Sequence, residues 1–353
     1  MLRPALTALL LTSTAALADV PRVVTDIAPV HSLVAQVMGD LGQPDLLVRP
    51  GASPHGYSLR PTEARALDQA DLVVIVGEGL TPWLMQPVQT LAGDAHLLEL
   101  LGVEGATRLD RREGATFGRH SHGDGDDHGH DDHDHDHAEA DGHDHDDHDH
   151  DHDKADDHGH DDHDHDHAKA DAHDHDDHDH GAFDSHAWLD PRNGAVWLDA
   201  IAGELAELDP ENADTYRANA ETGKAQLATL EAEIAASLPE NGTGFIVFHD
   251  AYQYFEARFG LAASGSISLS DATAPSAGRI SELRDKIGDL GVTCVFTEPQ
   301  FDPGIIAALG VDDLNTAVLD PLGTFAFEPG ADLYPQTLRA MGVAFAECLA
   351  PQG

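Results

Sequence analysis

Residues 211–238, ENADTYRANAETGKAQLATLEAEIAASL, are alanine-rich, contain no proline and run directly into Pro239. Such a stretch reads as a long helix with a hard stop at its end. On either side lies the same pattern of a short β-branched or apolar run, a turn and an amphipathic segment. Upstream, Arg22-Val-Val-Thr-Asp26, Asp45-Leu-Leu-Val48, Leu72-Val-Val-Ile-Val76 and His96-Leu-Leu-Glu-Leu100 read as strands. Helices are expected at 61–70, with Pro61 in the first turn, around 83–91, and over 191–208. Downstream, Phe245-Ile-Val-Phe248, Val292-Thr-Cys-Val-Phe-Thr297 and Thr316-Ala-Val-Leu319 are the strands. Their helices are expected from Ala251, over 275–290, near Pro303 and at the C-terminus. Strands that alternate with helices pair in parallel and are covered on both faces. The predicted fold class is α/β: two parallel-sheet lobes, 19–208 and 240–353, bridged by a long rigid helix over 209–239.

The chain opens with Arg3, an apolar run through Leu11 and then Ala16-Leu17-Ala18, the small-residue pattern at which export leaders are cut. Residues 1–18 are therefore predicted to be a signal peptide, leaving Asp19 first. The apolar run is too short to span a bilayer, and no later segment is long enough, so no direct membrane insertion is expected. In an oxidising compartment the two cysteines, Cys294 and Cys348, are expected to form a disulfide.

Residues 120–180 hold 21 of the 26 histidines together with 25 aspartates. Residues 126–150 recur as 156–180, differing only at Glu139/Lys169 and Gly142/Ala172. This low-complexity duplication has no bulky apolar residue to bury, so a disordered His/Asp-rich insertion is expected over 119–181. Imidazole is the commonest side-chain ligand of zinc-like ions and is largely deprotonated at neutral pH, so the insertion points to transition-metal handling. The formal charge is −46. The folded remainder is also strongly acidic, which disfavours nucleic acid and anionic lipid as partners and suits a cation.

Five histidines lie outside the insertion: His31, His55, His96, His186 and His249. Ligands of parallel α/β sheets collect at the carboxyl ends of strands. His55 follows the 45–48 strand, His249 ends the 245–248 strand, Asp320 ends the 316–319 strand, and His186 precedes the 191–208 helix. These four metal-competent side chains, two from each lobe, can converge on one cleft. The alternative is that each is a hydrogen-bonded structural residue and that Asp320, before Pro321, shapes a turn. His31, inside a helical pattern, and His96, at the start of a strand, are read as structural. Asp250 and Glu298 are candidate acceptors for the second ring nitrogen of a ligating histidine.

Longer strings carry a resemblance. Gly51-Ala-Ser-Pro-His-Gly-Tyr-Ser-Leu-Arg-Pro61, His186-Ala-Trp-Leu-Asp-Pro191, Val247-Phe-His-Asp-Ala-Tyr252, Glu298-Pro-Gln-Phe301 and Leu319-Asp-Pro-Leu-Gly323 occur in order across nearly the whole mature chain. Together with the acidic histidine-rich insertion they resemble the zinc-specific solute-binding proteins of bacterial ABC importers, the ZnuA type. The resemblance implies a periplasmic protein, not an enzyme, holding Zn(II) between its lobes as the transported ligand. Histidines matching His55, His186 and His249 would bind it, with water or Asp320 as the fourth ligand. Some relatives have glutamate where Pro54 stands here. The implied partners are zinc and a membrane permease, with nothing requiring more than a monomer. Manganese binders of the same family usually carry glutamate at the position of His249, and three imidazoles suit zinc better than a hard ion. A zinc hydrolase or lyase, or a metal store built on the insertion, are the readings from other classes. The insertion, whose last histidine, His180, lies six residues before His186, reads as an accessory zinc scavenger.

Overall fold

The computed structural model describes residues 20–112, 117, 183–239, 244–268, 275–301, 304–310 and 314–350. The predicted leader and the histidine-rich insertion lie outside the described residues. Both α/β series form as expected. The first contains β1 (Val23–Thr25), α1 (Ala28–Met38), β2 (Asp45–Leu46), α2 (Pro61–Asp68), β3 (Leu72–Ile75), α3 (Met85–Leu91), β4 (His96–Glu99) and α4 (Pro191–Leu208). After α5 (Ala213–Ser237), the second contains β5 (Gly244–Val247), α6 (Gln253–Phe259), β6 (Gly265–Ser266), α7 (Ala277–Ile287), β7 (Val292–Thr297), α8 (Gly304–Leu309), β8 (Asn315–Val318) and α9 (Leu333–Cys348).

Each sheet is parallel throughout, in the orders β2-β1-β3-β4 and β6-β5-β7-β8. In both, successive crossovers leave the first strand in opposite directions. The switch points therefore fall between β1 and β3 and between β5 and β7, where a parallel sheet opens a crevice beyond its carboxyl edge. Strand β2 is shorter than the four residues expected, although Leu47 and Val48 still donate to the carbonyls of Thr25 and Asp26. Strand β6 was not anticipated, since Gly265-Ser266 has no apolar alternation to announce it.

Side chains alternate across β1 and β3. Val23, Leu72 and Val74 join a core that runs continuously into the second lobe, while Val24, Val73 and Ile75 face α2 and α3. In the second sheet, Phe245, Val247 and Phe296 face the shared core and Ile246 and Val295 face α7 and α8. Helix α5 buries Tyr216, Ala220, Gly223, Leu227, Leu230 and Ile234, a 4-3-4-3-4 spacing that is a continuous seam along one face. Its 25 residues extend about 37 Å. Gly223 lets it lie against α4, since a Cβ there would stand 2.8 Å from Leu198 Cδ1. A core shared between lobes and helix makes the frame stiff, because close-packed interiors do not deform gradually. Cys294 on β7 and Cys348 at the end of α9 are joined by a disulfide, their Cα atoms 5.7 Å apart.

Candidate metal centre

The segment Gly51-Ala-Ser-Pro-His55 leaves β2 as a tight loop. Gly51 adopts φ +78°, a left-handed conformation that favours glycine. Ser53 Oγ accepts from His55 N (3.2 Å), and Trp83 Nε1 donates to Pro54 O (2.7 Å). His55 is thus presented by a braced loop. His186 precedes a single 3-10 turn, Ala187–Leu189, after which Asp190 caps α4 by accepting from Arg192 N (2.9 Å) with Pro191 in the first turn. Trp188 Nε1 donates to Pro321 O (2.8 Å), which ties this turn to the loop carrying Asp320.

In the second lobe, register explains the geometry. Ile246 pairs with Val295 across β5 and β7, so three residues further along each strand His249 comes opposite Glu298 at the switch point. His249 Nδ1 lies 2.5 Å from Glu298 Oε1, which also accepts from Tyr252 Oη (3.0 Å), while Glu298 Oε2 accepts from Gln300 Nε2 (2.7 Å). In the first lobe His186 Nδ1 lies 2.7 Å from Asp184 Oδ1, which also accepts from His186 N (2.9 Å). A carboxylate oxygen accepts, so Nδ1 is the donor in each ring. Nε2 is then the nitrogen that carries the lone pair in each ring, the tautomer that ligating histidines require.

His55, His186, His249 and Asp320 all line one cleft, with Gln300 and Phe325 also on its wall. His186 and His249 are buried. The Nε2 atoms of His55 and His186 stand 3.4 Å apart. Two nitrogens bound tetrahedrally to one zinc at about 2.0–2.1 Å are separated by about 3.4 Å. The ring of His186 is centred 5.4 Å from that of His55 and 5.4 Å from that of His249. Among the described residues no three His, Cys, Asp or Glu side chains are gathered closely enough to hold a metal ion as they stand. The cavity is about 30 Å³, room for a small ion or a water.

Asp320 answers to both descriptions given it above. It lines the cleft, and it also shapes a turn, its two oxygens accepting from Gly323 N (2.9 Å) and Phe325 N (2.8 Å). Gly323 has φ +71°, and a Cβ there would lie 1.9 Å from Thr337 Oγ1, so the turn admits only glycine. Burial raises the Asp320 carboxyl above its usual range. The Leu322 N–H is a third backbone partner, so of the carboxylate's roughly four lone-pair sites about one is left for a cation.

His31 and His96 lie outside this cleft: His31 Nε2 faces Pro44 O (3.1 Å) and His96 Nδ1 faces Glu204 Oε2 (3.0 Å). Glu298 occupies the expected orienting place. Asp250 does not, its carboxylate being paired with Arg112. The acceptor for His186 is instead Asp184, fully buried and pushed up to about 7 by desolvation, against the lowering effect of the His186 N–H. Its signal was the spacing Asp184-Ser-His186, obscured by the many aspartates just before it.

The Glu298→Gln variant is expected to lose about 10–100-fold in metal affinity. A glutamine amide can donate to Nδ1, which stabilises the tautomer with hydrogen on Nε2 and removes the lone pair. Competition titration with a chromogenic chelator measures this, and unchanged affinity would show that Glu298 does not orient His249.

The family model described as "ZnuA: Zinc-uptake complex component A periplasmic" matches residues 23–348. The chain is 48% identical to the high-affinity zinc uptake system protein ZnuA of Paracoccus denitrificans (strain Pd 1222) over 335 residues, 94% of this chain and 93% of the relative. It is 45% identical to the protein of that description from Brucella abortus (strain 2308) over 330 residues, 93% of this chain and 91% of the relative. Among solved structures, a crystal structure of ZnuA superposes with TM-score 0.66 at 23% identity, covering 94% of this chain and all of the other. The solute-binding protein FpvC of Pseudomonas aeruginosa, in complex with Mn2+, gives TM-score 0.67 at 17% identity, covering 94% and 98%. The last two likenesses concern the fold alone. With nearly its whole folded length matched by the family model and by relatives at almost half identity, the chain belongs to the ZnuA family of periplasmic zinc-uptake components.

Proposed function

We propose that this chain is the soluble zinc-capture component of an ABC importer. It binds Zn(II) between its lobes through His55, His186 and His249, with Asp320 or water in the fourth position, and delivers the ion to a membrane permease. The observation that carries this reading is the facing pair of Nε2 atoms 3.4 Å apart, with Nδ1 of His186 and of His249 turned onto buried carboxylates. Three neutral imidazoles favour zinc over a hard ion such as manganese. The family is one of zinc-uptake components rather than hydrolases. The relatives named for zinc uptake support the same reading.

The finer parts of the proposal are these. Residues 1–18 are a cleaved leader, 19–208 and 240–353 are the two lobes, 209–239 link them, and the product works as a periplasmic monomer. The insertion at 119–181, joined to the chain a few residues before His186, supplies an accessory store of weakly held zinc. Zinc titration of the mature chain with manganese as competitor, with and without residues 120–180, tests the scheme. One tight zinc that outcompetes manganese and survives the deletion is expected, while the weaker stoichiometric excess disappears. Loss of all tight binding on deletion would assign the metal function to the insertion.

A further inference from the structure

The segments that flank the insertion, up to Arg112 before it and from Phe183 after it, form a short antiparallel stem. Asp110 bridges Phe183, Asp184 N donates to Leu109 O (2.8 Å), and Arg111 Nε donates to Phe183 O (3.2 Å). The stem grows from the first lobe yet rests on α6 of the second. Leu109 N donates to Tyr254 Oη (3.0 Å), which donates in turn to Asp184 O (2.8 Å), and Gln253 Nε2 donates to Asp110 O (3.1 Å).

Arg112 makes the strongest of these ties. Its guanidinium reaches both oxygens of Asp250 and both oxygens of Glu256, the latter at 2.6 and 2.9 Å. Side-chain exposure is 21% for Arg112, 13% for Asp250 and 3% for Glu256, so solvent does little to screen the group. Asp250 follows His249 directly, inside a tight turn in which Ala251 N donates to His249 O (2.9 Å). On the other side, the stem that carries Arg112 also carries Asp184, the carboxylate that orients His186. One side chain is therefore linked to His186 through the stem and to His249 through Asp250, the two rings coming from opposite lobes.

We propose that Arg112 is a positioning residue for ion capture, setting the His249 turn against the His186 segment from the root of the insertion. The inference rests on the cleft being the zinc site. Without the guanidinium, Asp250 and Glu256 are two like charges held close in a poorly solvated place, and their repulsion bears on the turn that carries Asp250 and His249. Lysine is an incomplete substitute, because a point charge cannot fork across two carboxylates.

The test is the release rate of the most slowly dissociating zinc from the full mature chain, measured by stopped flow into excess chelator. The variants are Arg112→Gln, Arg112→Lys, Arg112→Gln with Asp250→Asn, and Arg258→Gln. The last removes a second interlobe clamp, in which Arg258 binds Asp190 at 2.6–2.8 Å and no residue of the His249–Ala251 turn is a partner in that pair. Arg112→Gln is expected to release zinc about 10-fold faster, as for loss of an orienting partner, with Arg112→Lys intermediate. The double variant should return toward the wild-type rate because the repulsion is gone, and Arg258→Gln should lower Tm without speeding release. Should Arg112→Gln not fold, Arg112→Lys decides: faster release supports positioning and a wild-type rate overturns it. Equal acceleration in Arg112→Gln and Arg258→Gln, or none in either, would make Arg112 a stability element only. A wild-type chain with no slowly released zinc would overturn the cleft reading itself, a result distinct from any difference among variants.

Discussion

Replacing His186 with alanine is expected to remove tight zinc binding, with an affinity loss greater than the roughly 10–100-fold that follows loss of an orienting partner. Of the three rings it is the middle one, stacked edgewise against both His55 and His249. Its removal also leaves Asp184 buried at full depth without the ring N–H that its Oδ1 accepts. Alanine at His55 or His249 should produce losses of the same class. His249→Glu should behave differently, because a carboxylate in place of an imidazole hardens the donor set and favours manganese relative to zinc. Calorimetric titration of each variant with zinc, then with manganese as competitor, reads both effects. Retention of wild-type affinity by any one of the three alanine variants would strike that histidine from the ligand set, and an unchanged metal preference in His249→Glu would remove the argument from donor hardness.

What the sequence discloses follows from where physical constraints are local. Helix α4 has the bounds expected of it, Pro191–Leu208, because Pro191 can stand only in a first turn and Asp190 caps the helix from outside. Strand β7 likewise agrees at both ends, Val292–Thr297, since its β-branched run is set off by Gly291 and Pro299. The ligand candidates were legible because strand ends in a parallel sheet face one crevice whatever the loops do. Of the two candidate acceptors, Glu298 reaches His249 through the pairing of β5 with β7, whereas Asp250, adjacent to that histidine in sequence, points to Arg112. What stayed hidden depended on distant partners and on a masking composition: Asp184, the acceptor for His186, stands just after a run of aspartates. Arg112 itself sits at the border of a low-complexity segment, with no periodicity to mark it. Its role appears only when the two lobes are seen together.

Reduction of the Cys294–Cys348 disulfide, or its replacement by two serines, is expected to cost about 4 kcal/mol of stability on the chain-entropy model. The residues are 54 apart in sequence, so the bond closes a long loop and removes many conformations from the unfolded chain. For a domain of this size each kcal/mol moves Tm by about 2–4 °C, which places the expected drop at roughly 8–16 °C. Zinc affinity should change far less. Cys294 is wholly buried in the shared core, where Phe245, Phe296 and Phe345 also pack. The end of α9 keeps a second tie to the sheet through Asn315 Nδ2 donating to Cys348 O at 3.1 Å. The carboxyl edge of β7, which carries Glu298 to His249, is further held by the β5 and β8 ladders on either side. Calorimetric unfolding of the oxidised and reduced chain, paired with zinc titration of each, separates the two quantities. A large fall in Tm with affinity preserved within about 3-fold assigns the bond to the frame. A fall in affinity that tracks the fall in Tm would instead mean that β7 shifts when the bond opens, and that the disulfide holds the metal cleft in register.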